Sequence, residues 1–256
     1  MSSVINLTTA LDGRALVISL NRPEVRNAVN GQVARDLAAI LDDLDADPSL
    51  VVGIIRGEGP GFSAGMDLKA FLEGDFPAFE DRGFGGFAQR GPKTPLIAAI
   101  EGFAVAGGLE MALACDLIVA ASDAKLGLPE VKRSLIAAGG GLLRLAQRIP
   151  YHVAAEIALT GDHIPVERLY QVGLVNRIAE PGHALDEALA LAARLVDNAP
   201  LALEGSKYVL ENAADWGLAE GWRHQEPVME RVSLSEDARE GATAFAERRA
   251  PVWRGR

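Results

Sequence analysis

The first half of the chain alternates short apolar runs with amphipathic stretches. Residues 15–20, 51–56, 96–101 and 117–120 form apolar runs of strand length, and we predict four buried strands there. Asn30 is a residue type that caps helices, and after it apolar residues recur at helical spacing. We predict a helix there that ends at Asp47-Pro48. Strands that alternate with helices favour βαβ units with right-handed crossovers.

The pattern becomes mostly helical from Gly139 onward. Apolar residues form one helical stripe over 185–196, and further helices are predicted from Pro200 to about Ala246. No internal repeat and no low-complexity linker interrupts the chain. The sequence therefore predicts an α/β core followed by a helical C-terminal part that packs on the core or on a neighbouring subunit.

Composition and charge restrict the class of protein. The chain has 256 residues, of which 49% are hydrophobic and 23% charged, as is usual for a globular protein rather than a disordered one. The formal net charge of −10 argues against a non-specific nucleic-acid binder. Cys115 is the only cysteine, which excludes an internal disulfide and a cysteine-built zinc site, and its apolar neighbours indicate a buried thiol.

Targeting, membrane and metal signals are weak. The most apolar stretch, residues 96–121, is interrupted by three acidic residues and is too short between them to span a bilayer. The N-terminus has no basic region followed by an apolar region, so we expect a cytoplasmic protein without a membrane partner. The four histidines lack ligand spacing, and we predict no metal site.

The loop after the second predicted strand offers two motifs that the spacing disfavours. Gly61–Gly65 fits the G-x-S-x-G pattern of a serine hydrolase, but a glycine-rich loop separates Ser63 from the strand end at Arg56. A hydrolase would lose its activity in Ser63→Ala. The glycines at 57, 59 and 61 do not follow the G-x-G-x-x-G dinucleotide fingerprint either.

Two glycine-rich segments and two glutamates form a stronger candidate site. Residues 62–68 (FSAGMDL) and 101–110 (EGFAVAGGLE) both offer free backbone N–H groups, which could converge as an oxyanion hole or could simply serve turns and close packing. Glu110 and Glu130 lie among apolar neighbours, where a carboxylate is either paired or functional. As a pair they suit acid–base chemistry beside a carbonyl. The alternatives are a carboxylate favoured by a helix dipole and a solvated loop acid.

These residues resemble the enoyl-CoA hydratase/isomerase (crotonase) superfamily. FSAGMDL and EGFAVAGGLEMALACDLIVAASDAKLGLPEV carry the resemblance, which extends over essentially the whole chain through NRPEVRNAVN, TGDHIPVERLYQVGLVNRI and FAERRAPVW. It implies an α/β, crotonase-like spiral of ββα units over residues 1–195 and a helical C-terminal region, residues 196–256, that mediates homotrimers or homohexamers. It also implies an acyl-CoA substrate, with coenzyme A as part of the substrate and no separate cofactor.

The resemblance assigns roles to four residues. It implies an oxyanion hole from the N–H groups of Met66 and Gly107, water activation by Glu110 and proton transfer at Cα by Glu130. Because both acids are present, we expect reversible syn hydration of a 2-enoyl-CoA to a 3-hydroxyacyl-CoA, an activity of fatty acid metabolism. The alternatives are double-bond isomerisation, a pathway-specific dehydration, carbon–carbon cleavage and a non-catalytic acyl-CoA-binding subunit.

The resemblance also implies a coenzyme A site. Arg26 and Ala28 match the segment that lines the nucleotide, the backbone of Ala64 falls near the adenine, and Arg248 matches a basic position that reaches the phosphates, in the same subunit or across a subunit boundary. Arg248 could equally be an ordinary surface charge. Residues 131–145 differ from the IPGAGGTQRL pattern of many hydratases, which leaves the acyl specificity open.

Phenylalanines cluster in one glycine-interrupted segment, residues 71–91. We predict that they form a mobile apolar wall of an acyl pocket, although an amphipathic helix packed against the core or against another subunit would explain them too. The five rings are Phe71, Phe76, Phe79, Phe84 and Phe87.

Overall fold

A six-stranded sheet forms the centre of the computed structural model, which describes residues 3–79 and 81–256. The ten strands among these residues are β1 (Ile5–Ala10), β2 (Ala15–Leu20), β3 (Val52–Gly57), β4 (Ala78–Phe79), β5 (Gly83–Phe84), β6 (Leu96–Ile100), β7 (Phe103–Val105), β8 (Leu117–Ala121), β9 (Lys125–Gly127) and β10 (Arg177–Ala179). The large sheet has the order β1-β2-β3-β6-β8-β10. β1 is antiparallel to β2, and all other neighbours are parallel.

Helices cover both faces of this sheet. The helices in the described residues are α1 (Gly31–Ala46), α2 (Leu68–Leu72), α3 (Gly107–Ala114), α4 (Gly141–Arg148), α5 (Tyr151–Thr160), α6 (Val166–Gln171), α7 (Ala184–Val196), α8 (Pro200–Asn212), α9 (Leu218–Ser233) and α10 (Glu236–Glu247). Short 3-10 helices occupy Pro23–Val25 and Pro129–Arg133.

The strands are apolar at successive positions because both faces of the sheet are buried. Ile55 belongs to the core cluster under α1 and α3, whereas its neighbour Ile54 belongs to the cluster under α7. Parallel sheets in α/β proteins show such continuous apolar runs for this reason. The α/β fold class predicted from the alternation is therefore confirmed.

A second, smaller set of strand pairings lies beyond the ends of the central strands. β7 pairs with β9, Ser63 pairs with Ala104 of β7, and Leu126 of β9 pairs with Ile164. β6 and β8 are therefore each followed by a short second strand, β7 and β9, and β3 is followed by an isolated bridge at Ser63. This ββα repetition gives the predicted spiral.

The predicted elements agree with the structure where their patterns are long. Asn30 caps α1 through its side chain, which accepts a hydrogen bond from the Val33 N–H at 3.0 Å. β1 and β10, which the apolar runs did not predict, form the two edges of the large sheet. Cys115 is buried, as predicted.

The C-terminal residues are helical, as predicted, and α8 is attached to the core by a buried ion pair. The Nζ atom of Lys207 lies 2.8 Å from Asp116 Oδ2 and donates to the Thr94 carbonyl oxygen at 3.2 Å. The division of the chain at residues 195 and 196 stays a prediction. Across residues 3–79 and 81–256, the helices are all too short or too polar to cross a membrane.

Candidate active site

Glu110 is a buried carboxyl group in the first turn of α3. It is 4% exposed, and its Oε1 atom accepts a hydrogen bond from the Gly141 N–H at 3.0 Å. Burial, together with the nearby charge of Glu130, raises the pKa of Glu110 from its ordinary 4.5 to about 7. Backbone hydrogen bonds and the positive charge of Arg144 oppose this rise. Glu110 therefore exchanges its proton near neutral pH.

Glu130 faces the same space from the 3-10 helix Pro129–Arg133. Its Oε2 atom is buried, and it has no hydrogen-bond partner among the residues that the structure describes. Burial raises the pKa of this carboxyl as well, while the positive charge of Arg133 opposes the rise. A buried carboxyl oxygen without a partner is costly, which indicates a group directed at a ligand.

Two backbone N–H groups, those of Met66 and Gly107, are left free nearby. Within residues 3–79 and 81–256, neither donates a hydrogen bond to another protein group. Gly107 is the first residue of α3, so its N–H has no partner inside the helix. A Cβ atom on Gly65, which adopts φ +88°, would lie 2.8 Å from the Gly107 nitrogen. The two segments therefore approach as closely as glycine permits.

The turn before α3 holds an uncommon backbone conformation. Ala106 has φ 52° and ψ −132°, a combination that L residues rarely adopt. Its N–H donates to the Gly127 carbonyl oxygen at 3.0 Å, and its own carbonyl oxygen accepts from the Glu110 N–H at 3.1 Å. These bonds fix Ala106, and with it the direction of the Gly107 N–H. Strain of this kind tends to concentrate at functional sites.

An aromatic ring closes the space between these groups. Phe84 is nearly buried, and its ring would overlap a Cβ atom on Gly107. On its other side, a Cβ atom on Gly139 would lie 3.1 Å from the Phe84 Cβ and 2.7 Å from Glu110 Oε2. Phe84 thus contributes an apolar surface between the free N–H groups and the glutamates.

The other four predicted wall residues differ in how far they are buried. Phe87 is completely buried in the hydrophobic core, so it cannot line a pocket, and Phe79 packs against the edge of the same core. Phe71 and Phe76 are 42% and 55% exposed, with ring centroids 5.9 Å apart. The predicted wall is therefore corrected for Phe87, which lies in the core, while Phe84 lies beside Glu110. The roles of the other three rings stay predictions.

The amphipathic-helix alternative for residues 71–91 is also incorrect for most of the segment. Only the last two residues of α2 extend into it, and the antiparallel pair β4–β5 follows. Asp75 fixes the connection by accepting a hydrogen bond from the Gly31 N–H at 3.0 Å.

The residues predicted to hold the nucleotide lie together, with one exception. The Ala64 N–H donates to the Arg26 carbonyl oxygen at 3.0 Å, and Arg22 donates to the carbonyl oxygen of Ala28 at 2.5 Å. Arg26 itself is exposed and left-handed, with φ 57°. Arg248 is exposed at the end of α10, and none of its described contacts reaches this group.

Ser63 has a structural position. Its hydroxyl is fully buried, donates to the Asn27 carbonyl oxygen at 2.8 Å and accepts from the Gly65 N–H at 3.1 Å. Within the described part of the chain it contacts no histidine, so the serine-hydrolase alternative is wrong. The same part contains no group of three His, Cys, Asp or Glu side chains that could hold a metal ion.

Sequence reasoning missed the groups that hold Glu110 in place. Gly139 and Gly141 lie against its carboxyl group, and Arg144 follows in the first turn of α4. The available signal was the run of three glycines at a helix start, which leaves backbone N–H groups free for an anion.

Together, the fold and the site define an α/β protein with a buried and a half-buried carboxyl group beside free backbone N–H groups. Comparison with known families matches residues 12–256 to the family described as enoyl-CoA hydratase/isomerase. The chain belongs to this family.

Relatives cover the whole chain. It is 39% identical over 265 residues to the carnitinyl-CoA dehydratase of Escherichia coli K12, with full coverage of both. It is 51% identical to an enoyl-CoA hydratase from Mycobacterium tuberculosis H37Rv and 50% identical to one from Mycobacterium marinum. Each of these two structures superposes with a TM-score of 0.95 over 99% of both chains. The recognition of the superfamily and its fold is confirmed.

Proposed function

We propose that the protein catalyses the reversible syn hydration of a 2-enoyl-CoA thioester. The observation that carries the proposal is a pair of carboxyl groups: the buried Glu110, with a pKa of about 7, and the half-buried Glu130, with a buried, unpartnered oxygen. A group that titrates near neutral pH can both accept and return a proton under working conditions.

In the proposed reaction, the thioester carbonyl oxygen lies between the N–H groups of Met66 and Gly107. Glu110 accepts a proton from a water molecule as the water oxygen bonds to Cβ. The electron pair of the double bond then moves towards the thioester. The N–H groups stabilise the resulting enolate oxygen, and Glu130 supplies the proton to Cα. After the step Glu110 carries a proton that Glu130 has lost. The starting state returns when one proton passes from Glu110 to Glu130, whose titrations are coupled.

A second candidate is dehydration of a carnitinyl-CoA-type substrate. The whole-length identity to carnitinyl-CoA dehydratase favours it, and the chemical step is the same reaction in the opposite direction. A site that only isomerises a double bond needs no water-activating acid, so the presence of Glu110 supports hydration or dehydration over isomerisation. A binding subunit would tolerate replacement of both glutamates.

The test follows the loss of enoyl-thioester absorbance with short, medium and bulky 2-enoyl-CoAs, and its appearance from carnitinyl-CoA. Wild type is compared with Glu110→Gln and Glu130→Gln, with the exposed Glu167→Gln of α6 as the matched control. We expect both site variants to lose at least about two orders of magnitude in kcat, and the control to lose nothing. Turnover that survives in both site variants would refute the proposal.

The coenzyme A contacts and the assembly are part of the proposal. Arg26, Ala28 and Ala64 hold the nucleotide, and Arg248 reaches a phosphate from the same or a neighbouring subunit. Arg26→Ala is expected to raise KM for the CoA thioester more than it lowers kcat.

We also propose a homotrimer or homohexamer in the cytoplasm. Exposed apolar side chains on α8–α10, such as Leu210 and Phe245, support an assembly, and light scattering would measure its mass.

A further inference from the structure

Arg144 is a half-buried cation next to the candidate site that the proposed reaction does not use. It belongs to the first turn of α4, and among the described residues no carboxylate lies within ion-pair distance of it. Its guanidinium Nη2 instead donates to the Ala88 carbonyl oxygen at 2.5 Å. An arginine held in this position without a close counter-ion requires a reason.

The guanidinium lies over the glycine turn that holds Glu110. Gly140 adopts φ 98°, and a Cβ atom there would overlap Nη1 of Arg144. The neighbouring Gly141 donates its N–H to Glu110, and Gly139 packs against the other carboxyl oxygen. Arg144 therefore contacts the same glycine turn that holds the Glu110 carboxyl group in place.

The same guanidinium also reaches the turn that carries Phe84. Ala88, its acceptor, donates its own N–H to the Phe84 carbonyl oxygen at 3.0 Å. Phe84 in turn packs on Gly107, one of the two free N–H groups. Arg144 therefore contacts both the glycine turn at 139–141 and the turn that carries Phe84.

We propose that Arg144 is a positioning residue for Glu110, joining the glycine turn at 139–141 to the Phe84 turn and keeping a positive charge beside the carboxyl. The charged groups that face Glu110 are Glu130 from the 3-10 helix and Arg144 from α4, and they act in opposite directions on its pKa. The Phe84 turn contributes an apolar ring. Without the positive charge of Arg144, burial and the charge of Glu130 would raise the pKa of Glu110 further.

The first test does not depend on any substrate. In protein labelled with ¹³C at the glutamate carboxyl groups, the resonance absent from Glu110→Gln reports the titration of Glu110. Arg144→Met is expected to move this titration to higher pH by about 0.5 or more, and Arg144→Lys, which keeps the charge, to leave it near the wild type. The matched control is Arg148→Met, one turn further along α4, whose arginine donates to the Leu113 carbonyl oxygen instead.

The second test rests on the proposed hydratase function. We expect Arg144→Met to lower kcat by about ten-fold or more with little change in KM, and to move the pH profile in the same direction as the resonance. Arg144→Lys keeps the profile but loses part of kcat, because ammonium lacks the planar fork that spans both turns. Arg148→Met should behave as the wild type in both measurements.

The outcomes separate the two proposals. A wild type that hydrates no substrate overturns the proposed function, while the titration still decides the role of Arg144. An unchanged Glu110 titration in Arg144→Met overturns the role of Arg144 even if the enzyme is an active hydratase. If Arg144→Met does not fold, Arg144→Lys decides, since full wild-type kcat in that variant excludes the positioning role.

Discussion

The burial of Glu110 should make the folded protein less stable as the pH rises. A carboxyl whose pKa is raised in the folded state binds protons more strongly there than in the unfolded chain. Below about pH 4 both states are protonated and the group contributes nothing. Between its unfolded pKa of 4.5 and its folded pKa of about 7, stability is progressively lost, and above that range the loss is complete.

The size of this loss follows from the two pKa values. One pKa unit corresponds to about 1.36 kcal/mol, so a rise from 4.5 to about 7 costs about 3 kcal/mol at pH 8. The uncharged amide in Glu110→Gln avoids this cost, and its oxygen can still accept the hydrogen bond from Gly141. We therefore expect Glu110→Gln to be more stable than the wild type by about 3 kcal/mol at pH 8 and about equally stable at pH 4.5.

The assay is thermal or denaturant unfolding of both proteins at several values between pH 4.5 and pH 8. For a chain of this size, about 3 kcal/mol corresponds to a difference in Tm of roughly 6–12 °C. Glu167→Gln, an exposed position, should show no pH-dependent difference from the wild type. A Glu110→Gln difference that is constant across this pH range would refute the idea that burial destabilises the charged carboxyl.

Three further predictions follow from packing and hydrogen bonding. Gly65→Ala brings a Cβ atom 2.8 Å from the Gly107 nitrogen and should lower kcat by about 10²-fold or more, whereas wild-type turnover would argue against an N–H group acting there. Lys207→Met leaves the Asp116 carboxylate without its partner and should lower the free energy of unfolding by about 3 kcal/mol in a denaturant titration. Adding Asp116→Asn should recover part of this loss. A double variant that loses the sum of the two single losses would contradict the pairing. Trp253→Phe removes the indole donor to a carbonyl oxygen at the end of α7 and should cost about 1 kcal/mol, and an unchanged unfolding free energy would show that this bond does not anchor the tail.

Local sequence signals predicted the elements whose stability is largely local. α1 has a capping side chain and an apolar stripe along its sixteen residues, so both its type and its start could be predicted from the chain. The central strands β2, β3, β6 and β8 were visible as apolar runs because both of their faces are buried. β1 was not visible, since Leu7 and most of its neighbours are exposed at the edge of the sheet.

The same limit applies to the candidate site. The pairing of Ser63 with Ala104, and the three-residue strands β7 and β9, are too short to leave a periodic pattern, although they bring the site segments together. Their geometry comes from long-range pairing, which a local window cannot contain. For phenylalanines the sequence shows hydrophobicity and spacing only, and it therefore could not separate the core residue Phe87 from Phe84.

The repeated ββα unit explains why groups distant in sequence meet at one site. Ser63 forms an isolated bridge to Ala104 of β7, and Ala104 is paired in turn with Leu126 of β9. Met66 and Gly107 each follow their paired residue by three positions, and Glu130 follows Leu126 by four. Three successive units thus contribute one group each at the same point of the repeat. Because the strand pairing fixes their relative positions, a residue inserted between a short strand and its site group should displace that group alone, leaving the large sheet intact.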